Sequence, residues 1–178
     1  MRRALVFPVE TTLVGGTPVE TTFETMAAPP PYELAGSVFG WVFHGDELLL
    51  TCDRAGLWGL PGGTRRPGET LHEAFERALW ETTGAKLDGV RLLGALRTER
   101  RGVWTPGVPM PLSYRVCFTA EAHELANFSP ALAIGERMLI DPSLARRVVK
   151  HWSPLLDEML LYVQAVRTAS RDTSRQVA

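Results

Sequence analysis

Between residues 63 and 85 the chain reads GTRRPGETLHEAFERALWETTGA, and its charged letters are regularly spaced. Glu73, Arg77 and Glu81 follow one another at i, i+4 and i+8, so on a helix they share one polar side. Alone, such a trio is a surface salt-bridge ladder contributing ~0.3–0.5 kcal/mol per pair. Leu71, Phe75, Ala78, Leu79 and Thr82 fall within one ~100° sector of the same helix, a core-facing stripe. Upstream lies a glycine-rich stretch, Gly56-Leu57-Trp58-Gly59-Leu60-Pro61-Gly62-Gly63. Its closing Gly62-Gly63 bend lets backbone come closer to a bound group than any residue with a side chain would. A carboxylate next to such a bend suits a hard cation such as Mg2+, which takes oxygen ligands and keeps several waters. Glu81 therefore has two readings, as a salt-bridge partner and as a metal ligand.

The segment resembles the Nudix box, whose pattern is G-x5-E-x7-R-E-U-x-E-E-x-G-U with U a bulky aliphatic. Gly63, Glu69, Arg77, Leu79, Glu81 and Gly84 stand at matching positions, and Trp58-Gly59-Leu60-Pro61-Gly62 and Gly68-Glu69-Thr70 are also typical. The resemblance covers roughly residues 35 to 165. It implies a mixed α/β (α+β) fold, a β-sheet sandwiched between helices. It also implies a hydrolase that cleaves a nucleoside diphosphate linked to another moiety, at a phosphoanhydride bond, with Mg2+ or Mn2+. In that scheme Gly63 and Glu81 hold the metal, Arg77 positions Glu81, and Glu69 and Gly62 support the loop. The departures are Ala78 and Thr82, where the family has glutamates, and the small Ala85. One helix carboxylate of three remains, which predicts weak metal affinity and low activity. The alternative is an inactive Nudix-fold module that binds a nucleotide or a protein.

Other residues have paired readings. Glu136, in Gly135-Glu136-Arg137-Met138, resembles a late glutamate that some Nudix hydrolases use as a further metal ligand or base; otherwise it is an ordinary exposed residue. Glu121 and Glu124 are weaker candidates for that part. Arg97 and Arg100, with Arg101, either meet substrate phosphates or form a solvated basic loop. Trp58 and Trp104 either stack on a base or pack. His44, His72, His123 and His151 have no ligand spacing and read as surface residues.

These residues need a scaffold. The chain of 178 residues is 45% apolar and 22% charged, ordinary for one globular domain. Its net charge of −1 gives no footprint for nucleic acid or an anionic membrane. Arginine outnumbers lysine 17 to 2, which reads mainly as compositional bias and only slightly as phosphate recognition. Cys52 and Cys117 lie too far apart in sequence for a zinc motif and suit a reducing compartment. No apolar run is long enough to span a membrane, and Ala4 to Phe7 is too short for a signal peptide, so a cytoplasmic protein is expected.

Residues 1–34 read as a β-hairpin arm and Pro-rich connector. Pro8-Val9-Glu10-Thr11-Thr12 echoes in Pro18-Val19-Glu20-Thr21-Thr22 around a Gly15-Gly16 turn, before Pro29-Pro30-Pro31. The arm is either a homodimer contact or substrate cover, or an extra hairpin on the sheet edge. The Nudix domain follows over residues 35–168, and a frayed polar tail over 169–178. Strands are expected at 35–43, 47–52, 90–96, 113–120 and 137–140. Helices are expected at about 70–83 and from Pro154 to about Val166.

Overall fold

In the computed structural model, residues 6–101, 111–126 and 136–176 are described, the last four without their side chains. The hairpin forms from β1 (Glu10–Val14) and β2 (Thr17–Thr25). Gly15 and Gly16 both take positive φ, 59° and 78°, as a two-residue turn of matching twist requires. It is no detached arm, because β2 pairs with β7 (Ala85–Arg100) from Val19–Arg100 to Thr25–Gly94 and buries Val19 and Phe23.

The central strands are β3 (Ala35–His44) and β8 (Leu112–Leu125), paired in parallel, while the other pairings are antiparallel. β4 (Glu47–Cys52) continues the sheet, then the short β5 (Trp58–Gly59). β6 (Gly62–Thr64) pairs with β3, and β9 (Arg137–Ile140) with β4.

β3 reads as one apolar run because both its faces are buried. Val38 and Val42 face α1 (Leu71–Thr83), in one cluster with Phe75, Leu79 and Phe118. Phe39, Trp41 and Phe43 face the other way, in a second cluster with Leu155, Met159 and Val163 of α3 (Pro154–Gln176). Gly40 lets the Phe75 ring lie on the strand, since a Cβ there would collide with it. Two helices thus cover two faces of one mixed sheet, as expected.

α1 starts where the sequence says it should. Thr70 and Glu73 close a capping box, and Gly84 ends the helix at φ 64°. Arg137 donates to the Thr83 carbonyl, so β9 supplies a cation to the negative helix end. A further short helix, α2 (Ala145–Val148), precedes α3. α3 runs to Gln176, past the Ala169 where fraying was expected. Arg167 and Arg171 tie this stretch to the β3–β4 turn by donating to the Gly45 carbonyl.

Candidate active site

The box loop is braced by Arg77. Its Nε and one terminal nitrogen both reach Glu69, the latter at 2.9 Å, and the same nitrogen donates to the Thr64 carbonyl at 2.9 Å. The Arg66 N–H donates to Glu69 at 2.7 Å. The Arg77 guanidinium first, then the Arg66 backbone N–H and the charges of both arginines, hold the Glu69 carboxyl down to about pKa 2, well below its ordinary 4.5. The other Arg77 terminal nitrogen donates to Glu81 at 2.9 Å. Arg77 thus bridges Glu69 and Glu81, the two carboxylates with which its expected role connects it. Glu73 is spent on the helix cap and does not extend the ladder.

Beside this brace opens a cavity of about 810 Å³. Gly62, Gly63, Arg77, Ala78, Glu81 and Thr82 line one side. Gly63 lies against the helix: a Cβ there would stand 2.8 Å from that of Ala78. Thr82 turns its hydroxyl back to the Ala78 carbonyl at 2.6 Å, whereas Thr83, expected outside the stripe, is the fully buried threonine.

The resemblance implies a divalent ion here, and the residues present do not fit one. Ala78 and Thr82 offer no carboxylate. Glu81 has both oxygens engaged: Arg66 donates to them at 2.9 and 3.2 Å, and Arg77 to one at 2.9 Å. Among the described residues no group of three or more His, Cys, Asp or Glu side chains is placed to hold a metal. That leaves the Gly63 carbonyl and a carboxylate already held by two guanidinium groups, a poor exchange for the water of a hard cation.

Glu136 is close to the cavity without lining it. Its carbonyl accepts the Cys52 N–H at 2.8 Å. Burial first, then the charges of Glu136 and Asp53, raise the pKa of the Cys52 thiol, which lines the cavity. Arg97 and Arg100 fall elsewhere. Arg97 bonds Glu99 at 2.7 Å and pairs with Glu24 across β2, and Arg100 reaches the Val14 carbonyl. They are fixed on the hairpin side of the sheet, and neither lines the cavity. Trp58 lines the cavity and also packs on the α3-side core. Trp104 lies outside the described residues.

The cavity also has residues that sequence reasoning did not single out, Arg65, Arg66, Arg115, Lys150 and Asp53, and, at φ 61°, His151, which the sequence reads as a surface residue. Arg115 had a readable signal. It shares strand parity with the buried Cys117 and Thr119, which puts it on the Phe39 side of the sheet, exposed at the rim of the cavity. Lys150 and His151 had none, being placed by the bond from the Lys150 N–H to the Trp58 carbonyl at 3.1 Å.

Comparison with known proteins agrees with this fold. The family model described as NUDIX domain matches residues 34–131. A MutT-like protein of Streptomyces ambofaciens is 37% identical over 79 residues, 43% of this chain and 51% of the relative. The match thus spans about half the length of that curated relative. A Bacillus subtilis pyrophosphohydrolase aligns at TM-score 0.60 and 18% identity over 91% of this chain and 97% of its own. A NUDIX hydrolase from Nitrosomonas europaea aligns at TM-score 0.53 and 18% identity, over 74% and 90%. At such identities these structures speak for the fold. The loop brace, the box letters and the domain match together make this chain a member of the Nudix family.

Proposed function

We propose that the cavity beside Gly63 receives a nucleoside diphosphate linked to a further group, and that the chain hydrolyses its phosphoanhydride bond slowly. The carrying observation is the pairing of an intact loop brace, Glu69–Arg77–Thr64, with a Glu81 held by Arg66 and Arg77. The brace keeps the loop in shape for a diphosphate. In the reaction, water attacks phosphorus, the bridging P–O bond breaks, and its electron pair leaves with the departing phosphate. Arg66 and Arg77 face the cavity, where they offset the charge that develops on that phosphate. Glu136, bonded through its backbone to the lining residue Cys52, is the carboxylate assigned to accept the proton of water. The box-helix carboxylate in the lining, Glu81, is held by two guanidinium groups and does not activate the water, so the rate is low.

A second reading, binding without hydrolysis, is favoured by the same hold on Glu81. One experiment separates them: a screen of nucleoside diphosphate derivatives for phosphate release in Mg2+ and in Mn2+. Slow release that falls in Glu136→Gln supports the hydrolase. Binding with no release supports the module. Turnover within the usual range of about 1–10³ s⁻¹ contradicts both.

The assembly and setting belong to the same proposal. β1 is an edge strand with Leu13 and Val14 exposed, and Val6 and Val9 are exposed just before it, which suits a homodimer through the hairpin. Because β2 is part of the sheet, the clean test is Leu13→Lys rather than truncation: the sedimentation coefficient falls to the monomer value, or the dimer reading is wrong. Both described cysteines are free, which suits a cytoplasmic setting. No helix among the described residues is long and apolar enough to cross a membrane.

A further inference from the structure

The cavity has an unbalanced charge. Arg65, Arg66, Arg77, Arg115 and Lys150 line it against Asp53 and Glu81. Three of the cations are engaged. Arg77 and Arg66 hold Glu69 and Glu81, and Arg65 donates to the Tyr32 carbonyl at 2.8 Å with its guanidinium 3.1 Å from the Tyr32 ring centroid. Even so, the second terminal nitrogen of Arg65 is buried without a partner. Arg115 and Lys150 have no hydrogen-bonded or ion-paired side-chain partner among the described residues.

Arg115 is the informative one. Its guanidinium lies 4.5 Å from the Phe39 ring centroid, and the residue is exposed where it lines the cavity. A guanidinium held at a cavity wall on an aromatic ring, with no carboxylate beside it, has its N–H donors available to an anion entering from outside. Lys150 comes from the opposite side, held beside β5 by its backbone bond to Trp58. In an intact box three carboxylates face the diphosphate, and like charge makes a bridging cation necessary. With Ala78 and Thr82 in two of those places and Glu81 neutralised, that repulsion is gone.

We infer that the cavity binds the diphosphate of its ligand directly on Arg115 and Lys150, with Arg66 beside Glu81, and needs no divalent ion to do so. This rests on the reading that the ligand carries a diphosphate, and it goes further by assigning to side chains the work of a metal. Guanidinium suits it, since its planar fork matches phosphate oxygens.

The test is calorimetric titration of the full chain with inorganic pyrophosphate, in excess EDTA and again in Mg2+. The expected result is saturable one-site binding in EDTA that Mg2+ does not tighten. Raising the salt from about 0.05 to about 0.5 M weakens it. Arg115→Met and Lys150→Gln each weaken it roughly tenfold. Lys150 is exposed, so its variant keeps the fold even if Arg115→Met does not. Binding that requires Mg2+, absence of saturable binding in EDTA, or a Lys150→Gln protein that binds like the parent overturns the inference. Tight pyrophosphate binding without any nucleotide hydrolysis leaves it standing and removes the hydrolase reading. Hydrolysis with binding that needs Mg2+ does the reverse.

Discussion

Arginine lines two clefts of this protein, and they differ in what the arginines hold. The cleft between β7, β8 and α3, about 680 Å³, is lined by Arg91, Arg167 and Arg171. There each charge has an internal partner. Arg167 donates to Glu121 at 2.9 Å and to the Gly45 carbonyl at 2.8 Å, and stacks on Phe43. Arg171 reaches Asp46 and Gly45, and Arg91 reaches Ser170. Those guanidinium groups fasten α3 to the sheet. In the cavity beside Gly63, Arg115 and Lys150 lack such partners among the described residues. A cluster of arginines therefore says little by itself. The difference between a fastening and a binding site lies in which charges the fold has already satisfied.

The sharpest way to break this comparison is to exchange effects. Arg115→Met with Lys150→Met lowers pyrophosphate affinity by about a hundredfold, two tenfold losses adding, with little change in Tm. Arg167→Met leaves that affinity alone and costs about 2 kcal/mol, or roughly 4–8 °C in Tm, through its lost bonds. Calorimetry and thermal melts read both, and a binding defect in Arg167→Met erases the distinction between the clefts. Next in size, Ala78→Glu with Thr82→Glu refills the cavity with carboxylates. Pyrophosphate binding in EDTA then falls roughly tenfold, and phosphate release from a nucleoside diphosphate derivative gains a dependence on Mg2+. If neither change appears, these positions do not face the ligand.

A smaller effect is a pH dependence of the brace. The folded pKa of Glu69 lies at about 2, below its ordinary 4.5. A depressed carboxylate contributes stability that is complete above about 4.5 and is lost as pH falls toward about 2. The Tm gap between the parent and Glu69→Gln should therefore stay constant at neutral pH and shrink between those two values. A gap that persists at pH 2 would assign the effect to shape rather than charge. Smallest of all, Asp46→Ala opens a largely exposed pair with Arg171 and shifts Tm by no more than about 1 °C.

Much of this was legible in the letters. The cap at Thr70, the stop at Gly84 and the strand at 137–140 are local signals, and local chemistry decides them. Glu69 and Arg77 were legible through their spacing in the box. The length of α3 was not, because Arg167 and Arg171 gain their partners on the β3–β4 turn, over a hundred residues away. The state of Glu81 was also hidden. Its i, i+4 partner Arg77 could be read from the helix, but Arg66 arrives from the loop and takes the remaining oxygen. Arg97 and Arg100 were misplaced because β7 extends to Arg100, turning an expected loop into paired strand.

The account depends on a cavity whose only box-helix carboxylate is already satisfied by arginine. Electron paramagnetic resonance of Mn2+ titrated into the ligand-free protein tests this directly, since bound ions lose the free-ion signal. The account predicts that the signal of Mn2+ stays that of the free ion at equimolar protein, and that Ala78→Glu with Thr82→Glu removes it. Saturable uptake of one Mn2+ per chain by the parent protein, abolished in Glu81→Gln, would contradict it.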